Sequence, residues 1–214
     1  MHAQLIEKPM IFAICGKSAS GKDTLAKYLS EYFYNMGLFT HNMISVTTRP
    51  PRVGEKNKID YYFTSEHQFE QMMEHQEFIE FTHFRGWHYG VPLNEVKSGY
   101  INIGVFNPEG LMTLQAMKYN YWIVPIYIDE TFRLRMRRSY ARESKWKLEF
   151  FRRAITDYFD FRHIDLLLKR FRGKYIYLKN IDDVKNKAII ITNTLYNWGL
   201  LYKEDNEVRL GNFI

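Results

Sequence analysis

Residues 16–24 read GKSASGKDT, between the apolar run MIFAIC (Met10 to Cys15) and the segment LAKYLSEYF. The spacing G-x-x-x-x-G-K is that of a phosphate-binding loop. Gly16 and Gly21 let consecutive backbone N–H groups converge, the helix that follows adds the positive end of its dipole, and Lys22 adds a full charge. Such a loop holds the β- and γ-phosphates of a nucleoside triphosphate, which makes Gly16, Ser18, Ala19, Ser20, Gly21, Lys22, Asp23 and Thr24 the candidate contacts. A hydroxyl ordinarily follows the lysine and approaches Mg²⁺. Here Asp23 stands in that position and Thr24 one later, so the expected metal-side groups are the Thr24 hydroxyl and, through a bound water, Asp23. An aspartate in the first turn of a helix is also favourable with the dipole by about 0.3–1 kcal/mol, a sufficient reason for Asp23 without any metal.

A second constellation lies in VTTRPPRVGEKNKIDYYF (Val46 to Phe63), where Arg49 and Arg52 flank two prolines and Tyr61 follows. Proline restricts the backbone, so two guanidinium groups are held toward one place with little freedom left to lose, which suits a second phosphate.

These residues need a scaffold, and the pattern around them supplies one. Met10 to Cys15 is too short for a stable helix and reads as a buried strand, while Leu25, Leu29, Tyr32, Phe33 and Met36 recur at helical spacing until Gly37. Ser65 followed by Gln68 is a capping-box signature for a helix over 66–76. FIEFTHF (Phe78 to Phe84) reads as a strand, 93–98 as a helix, INIGVF (Ile101 to Phe106) as a strand, and 112–117 as a helix. YWIVPIYI (Tyr121 to Ile128) is the second central strand, 130–172 is mostly helical and basic, KYIYL (Lys174 to Leu178) is a last strand, and a closing helix follows. Alternating strands and helices predict an α/β fold with a largely parallel sheet and the glycine loop at its carboxyl edge.

A chain of 214 residues with 46% hydrophobic composition supports one well-buried core. Its single cysteine, Cys15, excludes an internal disulfide and a four-cysteine zinc site, and fits a reducing compartment; the seven histidines show no metal-ligand spacing. The N-terminal residues lack the pattern of a secretion signal and no segment reaches about 20 consecutive apolar residues, so a soluble cytoplasmic protein, monomer or homodimer, is expected. The formal charge of +6 is concentrated in residues 129–174, with fourteen Lys/Arg against seven Asp/Glu. Nucleotide phosphates, nucleic acid or a solvated face would each account for that surplus. Nucleic acid ranks last, because no aromatic-basic reading motif accompanies the arginines.

Taken together, TTRPPRVGEKNKIDYYF, FIEF and HYGV resemble the guanylate kinase family, whose pattern T-T-R-x-P-R-x-G-E-x-x-G-x-D-Y-x-F, F-[IL]-E-[WF], Y-Y-G-[TS] they follow in order and at similar spacing. The resemblance is strong from Met10 to about Pro92. It implies a three-layer P-loop NTPase fold in one domain: a core of about 1–44, 100–129 and 156–214, a nucleoside-monophosphate-binding part of about 45–99, and a lid of about 130–155. It implies transfer of the γ-phosphate of ATP, with Mg²⁺, to a small-molecule nucleotide, GMP or dGMP foremost. Position by position it assigns Arg49, Arg52, Tyr61 and Tyr89 to the acceptor phosphate, Ser45 and Glu80 to the base, and Arg137, Arg153 and more loosely Arg142 to the transferring group, beside Lys22. A carboxylate at Glu80 accepts from both N1–H and the 2-amino group of guanine, a pair of donors that adenine lacks.

Three departures bear on the base. Val91 replaces a hydroxyl residue, His88 replaces a tyrosine, and V-F-N-P-E-G puts Val105 and Asn107 where the family has two acids. Asn107 still offers an acceptor, without the charge that makes such bonds roughly twice as strong. A deoxynucleoside monophosphate kinase of broader base range and a catalytically inactive binding module are therefore the alternative readings.

Overall fold

The computed structural model describes residues 8–52, 54–84, 86–117, 120–142, 147–171, 174–205 and 207–211. Strand β1 (Met10–Gly16) runs into the loop and then helix α1 (Lys22–Asn35). Strand β2 (Thr40–Asn42) leads to β3 (Val46–Thr47), β4 (Tyr62–Phe63), α2 (Glu66–Glu74), β5 (Phe78–Phe84) and β6 (Trp87–Pro92). The chain continues through β7 (Ile101–Phe106), α3 (Pro108–Ala116) and β8 (Trp122–Asp129) to α4 (Phe132–Arg142), α5 (Lys147–Asp160) and α6 (Ile164–Lys169). Strand β9 (Ile176–Lys179), α7 (Val184–Asn197), β10 (Leu201–Glu204) and β11 (Glu207–Leu210) complete it.

The main sheet is parallel throughout, in the order β2-β7-β1-β8-β9. Strand β1 is central and wholly buried because its two faces serve two layers. Met10, Phe12 and Ile14 pack with residues of α1 and α7, while Ile11, Ala13 and Cys15 pack with residues of α3 and α6. The glycine loop follows the carboxyl end of β1, the side on which open α/β sheets take ligands. A second sheet, β4-β3-β6-β5, is built from residues 46–92 and carries its own small core of Val46, Phe69 and Phe78. The buried carboxylate of Glu95 joins it to the main sheet, meeting His41 Nε2 of β2 at 3.1 Å and accepting from Ile44 N–H at 2.7 Å and from the Tyr62 hydroxyl of β4 at 3.2 Å.

The Ser65–Gln68 capping box forms at the start of α2 as its sequence requires. The helix expected over 93–98 is instead a single 3₁₀ turn, Leu93–Glu95. Its continuation is blocked because the Asn102 side chain takes both backbone groups of Lys97, accepting from its N–H at 2.8 Å and donating to its carbonyl at 3.0 Å. Helix α3 begins earlier than the apolar spacing alone suggests, since Asn107 caps it and Pro108 occupies its first turn. The tail, silent in sequence, folds back as the β10–β11 hairpin.

Candidate active site

The loop after β1 is shaped by glycine where nothing else fits. Gly16 pairs in register with Ile128, and a side-chain carbon on it would lie 2.7 Å from the Ile128 carbonyl and 2.8 Å from Ser20 Oγ. Gly21, at φ +92°, turns the chain into α1 through the left-handed region. Ala19 also sits there, at φ +60°, a conformation costing a residue with a side chain about 1–2 kcal/mol. No side chain caps the amino end of α1, so its first-turn N–H groups remain directed at the loop. Lys22 arches back over the turn and donates from Nζ to the carbonyls of Gly16 at 2.7 Å and Lys17 at 3.2 Å. Asp23 and Thr24 follow on the exposed side of the first turn. Convergent N–H groups, an uncapped helix end and a lysine ammonium over the turn suit a polyphosphate. Below them Cys15 is inert, its thiol pushed up to about 12 by burial against a smaller opposing effect of Lys22.

Across from the loop, the two arginines are organised by a residue that the sequence reading passed over. Glu55 takes both hydrogen bonds of Arg49 Nη2, at 2.9 and 3.0 Å, and the backbone N–H of Arg52 at 2.8 Å. Arg49 is buried, donates from Nη1 to the Pro50 carbonyl at 2.7 Å, and lies over the Tyr61 ring at 5.3 Å and the Phe63 ring at 5.8 Å. Burial alone would lower its pKa, but Glu55 and the nearby Tyr89 and Tyr61 outweigh that and raise it, so the cation is firmly held. The Tyr61 phenol is pushed up to about 12, first by burial, then by the charge of Asp23 and by Tyr89. It therefore stays a hydrogen-bond donor at any physiological pH. Tyr89 lies beside it with ring centroids 6.2 Å apart.

The charge of Asp23 adds to the rise that burial gives the Tyr61 pKa, which puts the start of α1 near the arginine pocket. Lys27 of α1 and Asp60 also meet at 3.6 Å. That ion pair is too exposed to count for stability, yet it fixes which surfaces are neighbours.

Beyond the arginine pocket, Glu80 on β5, Thr82 and Asn107 gather around the start of α3. Glu80 is buried and makes no hydrogen bond among the described residues; burial, then the charge of Glu109, push its pKa up to about 8. Gly110 makes room for it, since a side-chain carbon there would sit 2.6 Å from Glu80 Oε2. Asn107 is otherwise engaged. Its Oδ1 accepts from Gly110 N–H at 2.7 Å and its Nδ2 donates to Thr82 Oγ1 at 3.1 Å. Val91, opposite Glu80 in the sheet, is buried, and Ser45 is half-buried with its carbonyl paired to Tyr62 N–H.

The resemblance assigns Arg137, Arg153 and Arg142 of the basic helices to the transferring group. Arg137 is exposed and pairs with Asp182 at 3.3 Å, and Arg153 lies half-buried on α5. The side chain of Arg142 lies outside the described residues. Two other arginines reach the loop: Arg135 Nη1 donates to the Ser18 carbonyl at 3.1 Å, and Arg138 Nη1 to the Ser20 carbonyl at 2.9 Å. Ser18, expected among the triphosphate contacts, spends its N–H and hydroxyl on the carboxylate of Asp157, each at 2.9 Å.

A central parallel strand feeding a glycine loop and an uncapped helix, inside a mixed α/β core, defines a P-loop NTPase fold. The chain belongs to the guanylate kinase family, whose model matches residues 7–161. It is 38% identical over 104 residues to a guanylate kinase of Prochlorococcus marinus, covering 47% of this chain and 54% of that protein. It is 34% identical over 112 residues to one of Chlamydia felis, 50% of this chain and 53% of that protein. With one of Mycoplasma genitalium it shares 33% over 122 residues, 55% of this chain and 49% of the relative. The chain thus spans about half the length of the relatives it matches. In three dimensions it resembles the guanylate kinase from Anaplasma phagocytophilum, with a TM-score of 0.63 at 24% identity over 90% of this chain and 87% of the other, a likeness of fold.

Glu55 carries a prediction of its own. Glu55→Gln removes the charge that orients Arg49 and Arg52 while keeping the side chain's size. The KM for a monophosphate acceptor is expected to rise about tenfold with the KM for the triphosphate unchanged, in steady-state kinetics varying each substrate in turn.

Proposed function

We propose that the protein transfers the γ-phosphoryl group of ATP to GMP or dGMP, giving ADP and the nucleoside diphosphate. The observation that supports this is geometric: Lys27 of α1, the helix that follows the glycine loop, meets Asp60, the neighbour of Tyr61, at 3.6 Å, so the proposed donor-phosphate and acceptor-phosphate groups belong to adjacent parts of the fold. Lys22 leaves the loop carbonyls for the β- and γ-phosphates. Arg49, Arg52 and Tyr61, with Tyr89 beside them, hold the acceptor phosphate in line. That phosphate is already largely a dianion at pH 7, so an oxygen of it attacks without a general base. One P–O bond forms to the acceptor and the bond to the bridging oxygen of ADP breaks; placement and charge supply the acceleration.

Among the described residues no group of three or more His, Cys, Asp or Glu could hold a metal ion alone. Mg²⁺ keeps waters and binds mainly phosphate oxygens, and Thr24 and Asp23 would be the protein's contribution to holding it. When bound it would neutralise charge on the β- and γ-phosphates. The part around 45–99 and the lid around 130–155 are the units we expect to close over the substrates and exclude water, with Arg137 and Arg153 turning inward. Among the described residues no helix is long and apolar enough to cross a membrane. A cytoplasmic setting fits the single buried cysteine.

Among the described residues Glu80 makes no hydrogen bond and keeps its carboxylate for the base, whereas Asn107 already bonds Gly110 and Thr82; Ser45 is the further candidate for a base contact. A coupled assay with the four common monophosphates, ribo and deoxy, is expected to give the highest kcat/KM with GMP or dGMP. Comparable turnover with several bases would make it a broad-range kinase, and none with any would reject the proposal.

A further inference from the structure

Ser18 is bound on every polar atom by two buried side chains from the far end of the chain. Asp157 Oδ2 accepts from its N–H and Oδ1 from its hydroxyl, each at 2.9 Å, while Arg135 Nη1 donates to its carbonyl at 3.1 Å and to Asp157 Oδ2 at 3.0 Å. The side chains of Arg135 and Asp157 are only 6% and 5% exposed. A buried ion pair costs more in desolvation than an apolar pair of the same size, so a fold gains little by keeping one for stability alone. This one spends its capacity on a single loop residue, next to Ala19, which is held at φ +60° without the freedom of glycine. Strained backbone of that kind persists where its surroundings over-determine it. On the other side of the turn, Arg138 holds the Ser20 carbonyl while its own Nη2 is anchored on Asp182 at 2.6 Å.

We propose that Asp157 and Arg135 are positioning residues that lock the outer turn of the phosphate-binding loop in its triphosphate-ready shape by grasping Ser18. The idea rests on the reading of the loop as the donor site. Its consequence is a division of labour within the loop. Ser18 is the clamped residue and Ser20 N–H closes the turn on the Lys17 carbonyl at 3.1 Å, so the N–H groups of Ala19 and of Gly21 onward, with Lys22, are left for the phosphates. Arg135 and Asp157 act through Ser18 and touch no substrate, so their loss should appear in donor affinity and not in acceptor affinity.

Asp157→Asn keeps the shape but sets an amide N–H₂ against a donor. Titration of Mg·ATP into the protein is expected to show Kd raised about tenfold for this variant, with Kd for GMP unchanged. Ser18→Ala, which removes one hydroxyl bond and leaves the buried pair in place, should shift Mg·ATP affinity the same way by about threefold and covers the case in which Asp157→Asn does not fold. Unchanged Mg·ATP affinity in folded Asp157→Asn, or in Ser18→Ala where only that variant folds, overturns the proposal. Tighter binding overturns it too, since the carboxylate would then be a competitor for the phosphate seat. Equal losses toward Mg·ATP and GMP would mark the pair as merely structural. Wild-type protein that binds Mg·ATP but transfers no phosphate would sink the kinase reading and leave the clamp standing, whereas wild type that binds no Mg·ATP overturns both.

Discussion

Replacing Lys22 by alanine is expected to lower kcat/KM for ATP by on the order of 10²–10³-fold or more, with little change in melting temperature and none in GMP affinity. The size follows from what the ammonium group does at each stage. Without nucleotide it satisfies the carbonyls of Gly16, which is buried, and Lys17, which is half-buried, at 2.7 and 3.2 Å. Such hydrogen bonds contribute about 1 kcal/mol each, a small effect beside the expected loss of activity. In the proposed phosphoryl transfer it is the positive charge that arches over the turn, placed where charge shifts toward the bridging oxygen and where no water can take over its position. Lys22→Arg should not rescue, because a planar fork cannot arch over a turn whose carbonyls lie this close to the lysine stem. Single-turnover measurement with saturating GMP separates the chemical step from binding. A Lys22→Ala protein that turns over at near wild-type rate would mean that the loop does not carry the donor phosphates.

What could be read before the structure divides along the range of the interactions. The strand, glycine loop and helix from Met10 to Asn35 and the Ser65–Gln68 cap are written in contiguous residues, and they formed as local chemistry dictates. Arg49, Arg52 and Tyr61 were visible for the same reason, and Glu55 stood within the same motif without its role being evident, because its partners lie three and six residues back across the proline turn. Asp157 gave no local sign at all. It is an ordinary acid on an amphipathic helix until the fold brings it 139 residues back to Ser18. The turn at 93–98 failed as a helix for a related reason: a side chain from the next strand claimed the backbone of Lys97. Among the basic residues of α4, neighbours in sequence point about 100° apart around the axis, so Arg138 touches the loop where Arg137 pairs with Asp182, and composition cannot distinguish them.

The second large effect concerns the base and depends on pH. Glu80 is raised from 4.5 to about 8, first by burial and then by Glu109, so in the free protein it is mostly protonated at pH 7. Its native pKa lies above its unfolded one. Protonation therefore favours the unliganded fold, and the stabilisation, fully present below pH 4.5, is lost as pH rises through about 8. Guanine reverses the preference. Under the proposed function its N1–H and 2-amino groups are two donors that need a carboxylate, so binding of GMP is expected to release the proton. Affinity for GMP should rise with pH by up to tenfold per unit below about 8 and level off above it. The acceptor phosphate also titrates, near pH 6, and would tilt the same curve, which is why the comparison with Glu80→Gln decides. Glutamine keeps the phosphate effect and abolishes the rest, so subtracting its pH profile from that of wild type should leave a single titration near pH 8. At pH 8 the variant should also lose GMP kcat/KM by roughly 10²–10³-fold, since its amide presents one donor to a donor and one weaker neutral acceptor. Identical pH profiles for the two proteins would show that Glu80 does not meet the base. Because Asn107 spends its acceptor on Gly110, selection for guanine would then have no charged reader left in this pocket.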